Sequence, residues 1–358
     1  MPKVIRYRSF VAIVFGAVIA FLQSAQAAPF VYVPLGSDDK IVVVDAATDQ
    51  IVDIINGVEA VHGLAISSDS RFLIAGSYAE REIIGAAPAK PAGVSEDEHA
   101  KHHAAPSSGS PSSSTTVSTV TIFQAVDNRI VRRIDVPGAV HHVSASPDGR
   151  FAVVTHPNEG AISVIDLLSY KVISSVSTGP LTNYALFSPD SARVFVSNAG
   201  NGTVSEVDTE RWIVRRNFLA GDSPEHMVLS DDGKRLYVAN VNGGSVSEIL
   251  TDAGIAERSF DVGGALHGID LSNNGQTLFV SALDRDKLVA IDLSNSAMRY
   301  LTLGPAPYHA ALIMDTGKLY VSSADEPVIW VVDHDSFVLK GEISIGGKAH
   351  QMVVSHGQ

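Results

Sequence analysis

Short runs of apolar and β-branched residues, separated by turn residues, fill most of the chain. Residues 225–262 show one complete unit: an apolar run at 227–229, a turn, a second run at 235–240, an Asn-Gly-Gly turn, and two further runs. Runs of this length bounded by Gly, Asn and Asp predict β-strands, and helical periodicity is hard to find beyond the first residues. Each unit therefore predicts four short strands.

The unit recurs about every 42 residues, and a histidine usually marks the start of its first strand. The spacings between the aligned positions are 79, 42, 42, 42, 42 and 41 residues. Four strands per repeat at this period are typical of a β-propeller blade. Seven such positions predict seven blades: His62, His141, Asn183, Glu225, His267, His309 and His350.

Other segments recur in register with these positions. The first turn reads Ser-Pro-Asp-Gly at 146–149 and Ser-Pro-Asp-Ser at 188–191, residues suited to tight turns. The second strand reads Tyr-Val-Ala-Asn at 237–240 and Phe-Val-Ser-Asn at 195–198. This pattern resembles the YVTN family of seven-bladed propellers over nearly the whole chain after the first 27 residues. The resemblance implies a fold, whereas that family has many functions.

The seventh blade is incomplete at the C-terminus, because its first strand starts at His350 and the sequence ends at residue 358. Its other strands are expected from residues 30–33, 40–45 and 50–55. The predicted fold class is therefore all-β, a seven-bladed β-propeller closed by N-terminal strands that join the C-terminal strand. Such closure leaves no long sheet edge exposed.

Residues 1–27 have the features of a signal peptide: basic residues, an apolar run at 10–22 and a small-residue site at 25–27. We therefore expect an exported propeller, residues 28–358, located in the periplasm or secreted. No later run approaches the roughly 20 apolar residues of a membrane span. The formal charge of −13 argues against nucleic acid as a partner and is compatible with attracting cations.

An insertion rich in Ser, Pro and His, residues 79–119, interrupts the first blade and is expected to be disordered. It carries three histidines beside acidic residues, His99, His102 and His103, which predict weak metal binding. Because the connection from the second to the third strand leaves the blade where the first strand begins, the insertion should lie on the same face as the aligned histidines.

The absence of cysteine excludes thiolate ligands, so any bound metal has nitrogen and oxygen ligands. Imidazole is a good ligand for zinc and copper. First strands line the channel of a propeller, so the aligned residues predict a ring of donors at one mouth. With two flanking histidines, the candidate metal ligands are His62, His141, His142, Glu225, His226, His267, His309 and His350.

The preferred hypothesis is a periplasmic protein that captures or delivers zinc or copper, with a metal transporter or another acceptor protein as partner. The ring would hold the ion tightly and the insertion would collect it. Since Asn183 interrupts the ring, the tight site is expected on the opposite side, at His267, His309, His350 and His62.

Two alternatives remain. One is an oxidoreductase: the paired His141 and His142 resemble the channel copper sites of nitrous oxide reductase and thiocyanate dehydrogenase, although no cupredoxin domain accompanies them. The repeat also resembles the haem d1 domain of cytochrome cd1, but only Lys348 lies near the ring to bind an anionic haem, so this cofactor is less favoured. The other alternative is a non-catalytic scaffold with structural histidines. A lactonase or a lyase is not favoured, because no arginine partner for Glu225 and His226 is evident in the sequence.

Overall fold

A computed structural model describes residues 29–82 and 116–355. In these residues the strands form seven antiparallel sheets, confirming the predicted seven-bladed, all-β propeller. The predicted signal peptide and the three insertion histidines, His99, His102 and His103, lie outside the described residues. Among the described residues, no helix has the length and apolarity to cross a membrane.

The strands are short and follow one another in chain order. The first sixteen are β1 (Phe30–Leu35), β2 (Lys40–Asp45), β3 (Gln50–Asn56), β4 (Val61–Ile66), β5 (Phe72–Ser77), β6 (Arg81–Glu82), β7 (Thr116–Gln124), β8 (Arg129–Pro137), β9 (Val143–Ala145), β10 (Phe151–His156), β11 (Ala161–Asp166), β12 (Lys171–Ser177), β13 (Thr182–Phe187), β14 (Arg193–Asn198), β15 (Thr203–Asp208) and β16 (Ile213–Leu219).

The remaining strands continue the same order. They are β17 (Pro224–Leu229), β18 (Arg235–Asn240), β19 (Ser245–Leu250), β20 (Ile255–Asp261), β21 (Leu266–Leu271), β22 (Thr277–Ala282), β23 (Lys287–Asp292), β24 (Met298–Thr302), β25 (Pro307–Ile313), β26 (Lys318–Ser323), β27 (Val328–Asp333), β28 (Val338–Ser344) and β29 (Val353–Val354). Single 3₁₀ turns occupy Gly36–Asp38 and Leu283–Arg285.

Blades one to six begin with β4, β9, β13, β17, β21 and β25, and blade seven begins with β29. Strand β29 pairs with β1 in antiparallel register, with Val31 opposite Val354 and Tyr32 opposite Val353. The backbone N–H of Phe30 also donates to Ser355 Oγ at 2.8 Å. Both ends of the described chain therefore complete blade seven, as the repeat predicts.

A recurring hydrogen-bond pattern shapes the turn after the first strand in blades one to five. In blade two, Ser146 Oγ donates to the Asp148 carboxylate at 2.6 Å and accepts the N–H of Phe151 at 2.8 Å. Asp148 in turn accepts the N–H of Arg150 at 3.0 Å. Local bonds of this kind explain the preference for Ser and Asp. The same serine role recurs at Ser67, Ser188, Ser230 and Ser272.

The hydrophobic core lies between the faces of neighbouring blades. For example, Tyr237 and Val246 of blade four pack with Leu266, Leu278 and Val280 of blade five, and all five are at most 2% exposed. Burial of apolar area at about 25 cal/mol per Å² makes these faces the main stabilising contacts. The first strands of neighbouring blades contact one another and so surround the channel axis.

Most first strands carry a β-bulge near their start. In blade five, Leu266 pairs with Ala282 and Ile269 with Val280, so His267 and Gly268 together face the single residue Ser281. Equivalent register shifts occur in β4, β13, β17 and β25. A bulge re-aims side chains that strict alternation would send to opposite faces. Two consecutive residues per blade therefore reach the axis.

The register corrects the predicted alignment of blade six. Leu271 pairs with Leu278 and Leu312 with Leu319, so Tyr308 is equivalent to His267. His309 therefore lies one residue deeper than the aligned ring in which the sequence repeat placed it.

The predicted insertion, 79–119, overlaps ordered strands at both ends, because β6 begins at Arg81 and β7 begins at Thr116. Residues 83–115 lie outside the described residues. Val61 pairs with Ser77, so the chain leaves β5 beside the start of β4. The ring of Tyr78 accordingly lies 5.2 Å from that of His62, which confirms that this connection shares a face with the histidines.

Ending the chain after Gly347 removes β29 together with the buried Ala349 and Met352. We expect the free energy of unfolding to fall by at least about 2 kcal/mol, because loss of a buried methionine alone has this effect. Urea unfolding measures it. A chain ending after Ser355 is the control and should unfold like the full chain. Equal stability of both truncations would contradict closure through β29.

Candidate metal centre at the channel axis

The bulges place two layers of side chains around the channel axis. The outer layer contains His62, His141, Asn183, Glu225, His267, Tyr308 and His350. The inner layer contains the residues that follow: Gly63, His142, Tyr184, His226, Gly268, His309 and Gln351. Seven histidines are thus gathered at one end of the channel.

Three inner-layer histidines, His142, His226 and His309, form a triad whose donor nitrogens lie within 4.8 Å of one another. Their ring centroids are 4.9 Å apart for His142 and His226, 4.8 Å for His226 and His309, and 6.1 Å for His142 and His309. They come from blades two, four and six, so they converge on the axis from different sides. All three are nearly inaccessible, with 1%, 4% and 4% of their surface exposed.

Backbone carbonyls fix the orientation of several rings. Nδ1–H of His142 donates to the carbonyl of Asn183 at 2.9 Å, and Nδ1–H of His62 donates to the carbonyl of His141 at 2.8 Å. A neutral imidazole has one N–H and one lone pair, so these bonds leave Nε2 as the acceptor. Such a carbonyl partner is the usual outer support of a metal-binding histidine.

Several buried ring nitrogens have no hydrogen-bond partner among the described residues. An unsatisfied buried polar atom costs about 1–3 kcal/mol, so a set of them at one place calls for an explanation. A metal ion would satisfy those that carry a lone pair. The atoms are His267 Nε2, His309 Nε2 and His350 Nδ1.

Glu225, His226 and His267 form a second donor set, also within 4.8 Å of one another. Glu225 Oε2 lies 3.6 Å from Nδ1 of His267, and the rings of His226 and His267 are 4.3 Å apart. This set reaches from the partly exposed outer layer to the buried inner layer. His226 belongs to both sets.

Burial keeps the histidines neutral. It lowers the pKa of His226 to about 3 and that of His141 to about 4, and it lowers that of His142 well below its ordinary value. Burial also raises the pKa of Glu225 to about 7, and no cationic side chain of the described residues opposes this shift. Neutral imidazoles beside a carboxyl group without a counter-ion form a site that a cation would complete.

Apart from Glu225 and Asn183, the outer layer consists of aromatic rings. The ring of His62 stacks on those of His350 and His141, with centroids 4.1 and 4.5 Å apart. On the opposite side, Tyr308 covers His267 at 3.7 Å. These contacts hold the imidazoles at the mouth without cationic partners.

Gln351 and Tyr184 complete the inner layer. Gln351 Oε1 accepts the N–H groups of Leu64 and Val143 at 3.2 and 3.3 Å, and its Nε2 donates to the carbonyl of Val143 at 3.1 Å. The ring of Tyr184 lies 4.9 Å from His142 and 5.0 Å from His226. Gln351 therefore ties blade seven to blades one and two beside the triad.

Glycine occupies two inner-layer positions where neighbouring backbones come close. A Cβ atom on Gly268 would lie 2.5 Å from both Ala310 N and Tyr308 O, and one on Gly63 would lie 2.8 Å from His141 O. Glycine thus permits the spacing between first strands that brings His309 toward the axis.

The eight ring-associated residues predicted as ligands all lie at this end of the channel, but they are not equivalent. The tightest sets are the two described above, whereas the tight site was expected at His267, His309, His350 and His62. The expectation differs because His309 lies in the inner layer, where it meets His142 and His226. The sequence analysis did not identify Tyr184, Tyr308 and Gln351 as site residues, because these residue types do not recur at the aligned positions as histidine does.

Fold and site together define a seven-bladed β-propeller with an axial histidine cluster. No protein-family model and no curated protein matches the chain, so membership of the YVTN family stays a prediction.

Solved structures share the fold at low identity. Hydrazine synthase of Kuenenia stuttgartiensis matches with a TM-score of 0.64 and 15% identity, over 83% of this chain and 95% of the other. Dihydro-haem d1 dehydrogenase NirN, in complex with DHE, matches at 0.63 and 13%, over 88% and 63%. A proposed 6-phosphogluconolactonase of Bacteroides fragilis matches at 0.71 and 14%, over 93% and 99%.

Substitution Gly268→Ala tests the close approach of β21 and β25. We expect a loss of about 1–3 kcal/mol in unfolding free energy, because backbone atoms must shift to admit the methyl group. Urea unfolding measures the loss. Gly341→Ala is the matched control, since a Cβ there meets nothing within 4 Å. Equal stability of the two variants would contradict the described spacing.

The stability of the metal-free protein should fall as the pH falls from about 6.5 to about 4.5. In this range the unfolded chain binds protons at histidines that stay neutral when folded, so protons favour unfolding. Glu225 and Asp270, whose pKa values are raised to about 7 and about 6, act in the opposite sense. Eight histidines with lowered pKa outweigh these two carboxyl groups: His62, His141, His142, His156, His226, His267, His309 and His350.

Thermal unfolding in the presence of a chelator tests this dependence. The midpoint temperature should decrease steadily with pH through the window. A midpoint that stays constant or rises would show that the histidines are charged in the folded protein.

Proposed function

We propose that this protein is a periplasmic transition-metal-binding propeller that captures or delivers zinc or copper through its axial histidine cluster. The observation that carries the proposal is the triad of His142, His226 and His309, three buried neutral imidazoles with donor atoms within 4.8 Å of one another. Export rests on the predicted signal peptide.

The donor chemistry favours zinc or copper over harder ions. Three imidazoles supply three of the four ligands that tetrahedral Zn²⁺ prefers, and imidazole also suits copper. Calcium and magnesium prefer oxygen ligands, and Glu225 is the only carboxylate in the two layers. The residues present would therefore hold a zinc or copper ion.

Capture and release require access to the site. The outer-layer residues His62, His141, Glu225 and His350 are partly exposed, whereas the triad is buried. An ion would enter from the mouth where the His-rich insertion, with His99, His102 and His103, is attached. A metal transporter or another acceptor protein would dock at the same mouth to receive the ion.

A copper oxidoreductase is the second candidate, and the number of histidines favours it. One ion uses three or four ligands, whereas seven imidazoles line the two layers, enough for more than one copper ion. A copper cluster absorbs visible light and zinc does not. Haem d1, the cofactor class associated with the structural neighbour NirN, has less support. An anionic haem needs cationic side chains, and among the described residues none contributes to the raised pKa of Glu225, which burial alone explains.

Replacing His226 by Gln should weaken zinc binding by at least about 100-fold. Loss of a direct ligand exceeds the 10–100-fold effect of losing an outer partner. Competition with a chelator of known affinity, on protein without an affinity tag of histidines, measures the dissociation constant. His142→Gln and His309→Gln should behave alike.

His334→Gln is the control, because His334 lies away from the axis and contacts Asp335. Unchanged zinc stoichiometry and affinity in all three triad variants would contradict the proposal and favour a scaffold with structural histidines.

A further inference from the structure

His226 is a member of both donor sets, the triad with His142 and His309 and the outer set with Glu225 and His267. A neutral imidazole has a single lone pair, so His226 binds one ion at a time. The two sets are therefore alternative positions for one ion and cannot both be occupied through this residue.

Backbone hydrogen bonds orient His142 and His226 toward each other. Nδ1–H of His142 is held by the carbonyl of Asn183 at 2.9 Å, so His142 Nε2 carries a lone pair. Nε2 of His226 lies 3.2 Å from Nε2 of His142. The ring of His226 also forms a hydrogen bond with the backbone of His267, so it is held next to both donor sets.

Burial orders the two sets along the path from solvent. Glu225 is partly exposed, with 22% of its side chain accessible, whereas His267, His142 and His309 are buried, with 6%, 1% and 4% of their surface exposed. Glu225 is also the only carboxylate in the two layers, so it is the group that attracts a cation from the mouth. An incoming ion reaches the outer set first.

We propose that Glu225, His226 and His267 form an entry site, from which the ion passes to the buried triad with His226 as the shared ligand. The inference rests on the proposed function. The ion first binds Glu225, His226 and His267. It then exchanges Glu225 and His267 for His142 and His309 in the triad, while His226 remains a ligand and keeps its proton. Release follows the same path in reverse.

The kinetics of zinc exchange test the entry site. In stopped-flow measurements with Zn²⁺ and a fluorescent zinc indicator, Glu225→Gln should slow uptake and release alike, each by about 10-fold, because an ion that loses this transient ligand crosses a higher barrier in both directions. The equilibrium dissociation constant should stay within about 3-fold, because the triad is intact and the barrier alone does not change the equilibrium.

Glu342→Gln is the matched control, because it removes the same charge from an exposed residue of β28, the outermost strand of blade six. It should exchange zinc at the rate of the unaltered protein. His267→Gln provides a second entry-site variant and should resemble Glu225→Gln.

Nitrogen-15 NMR of the unaltered protein tests the inference without any substitution. After zinc loading, the ring-nitrogen signals of His142, His226 and His309 should shift together, whereas those of His267 should stay at their metal-free positions. A lasting shift of the His267 ring nitrogens without a shift at His142 and His309 would overturn the two-position path.

The outcomes separate the two proposals. If the unaltered protein binds no zinc, the proposed function fails. If it binds zinc and Glu225→Gln exchanges at the normal rate, only the entry site fails. A dissociation constant that rises in step with slower uptake would make Glu225 a resident ligand or a simple attractant and would also overturn the entry site.

Discussion

The β-bulge at the start of the first strands is the constraint on which the candidate site depends. In a regular strand, His226 and its neighbour Glu225 would face opposite sides, and only one layer of side chains would line the axis. The extra residue lets both reach the channel, as the contacts of both with His267 show. Both layers of donor side chains therefore lie at the same end of the channel.

The site contains many buried imidazole rings that form few hydrogen bonds. Burial holds the imidazoles neutral, and backbone carbonyls orient His62 and His142. One ring nitrogen of each of His267, His309 and His350 nevertheless has no partner among residues 29–82 and 116–355. A core built only for stability would replace such residues by apolar ones, since unsatisfied buried groups are destabilising. Metal coordination explains both the neutrality and the unused lone pairs.

The repeat, the turns and the closure of blade seven are predictable from the sequence, because strand periodicity and turn residues depend on local chemistry. The position of His309 is not predictable from the histidines alone, because aligning the repeats on their histidines puts His309 in the outer layer. The second-strand runs at 278–281 (Leu-Phe-Val-Ser) and 319–322 (Leu-Tyr-Val-Ser) would have placed Tyr308 in the ring. The bulges and the pairing of His226 with both donor sets depend on strand register and packing, which no single repeat reveals.

Anomalous X-ray diffraction from zinc-loaded crystals, recorded at the zinc absorption edge, tests the central claim most directly. The account predicts a zinc ion on the channel axis, about 2.0–2.1 Å from one ring nitrogen of each of His142, His226 and His309. Zinc bound only at the surface, or an axial cluster without anomalous signal after loading, would contradict it.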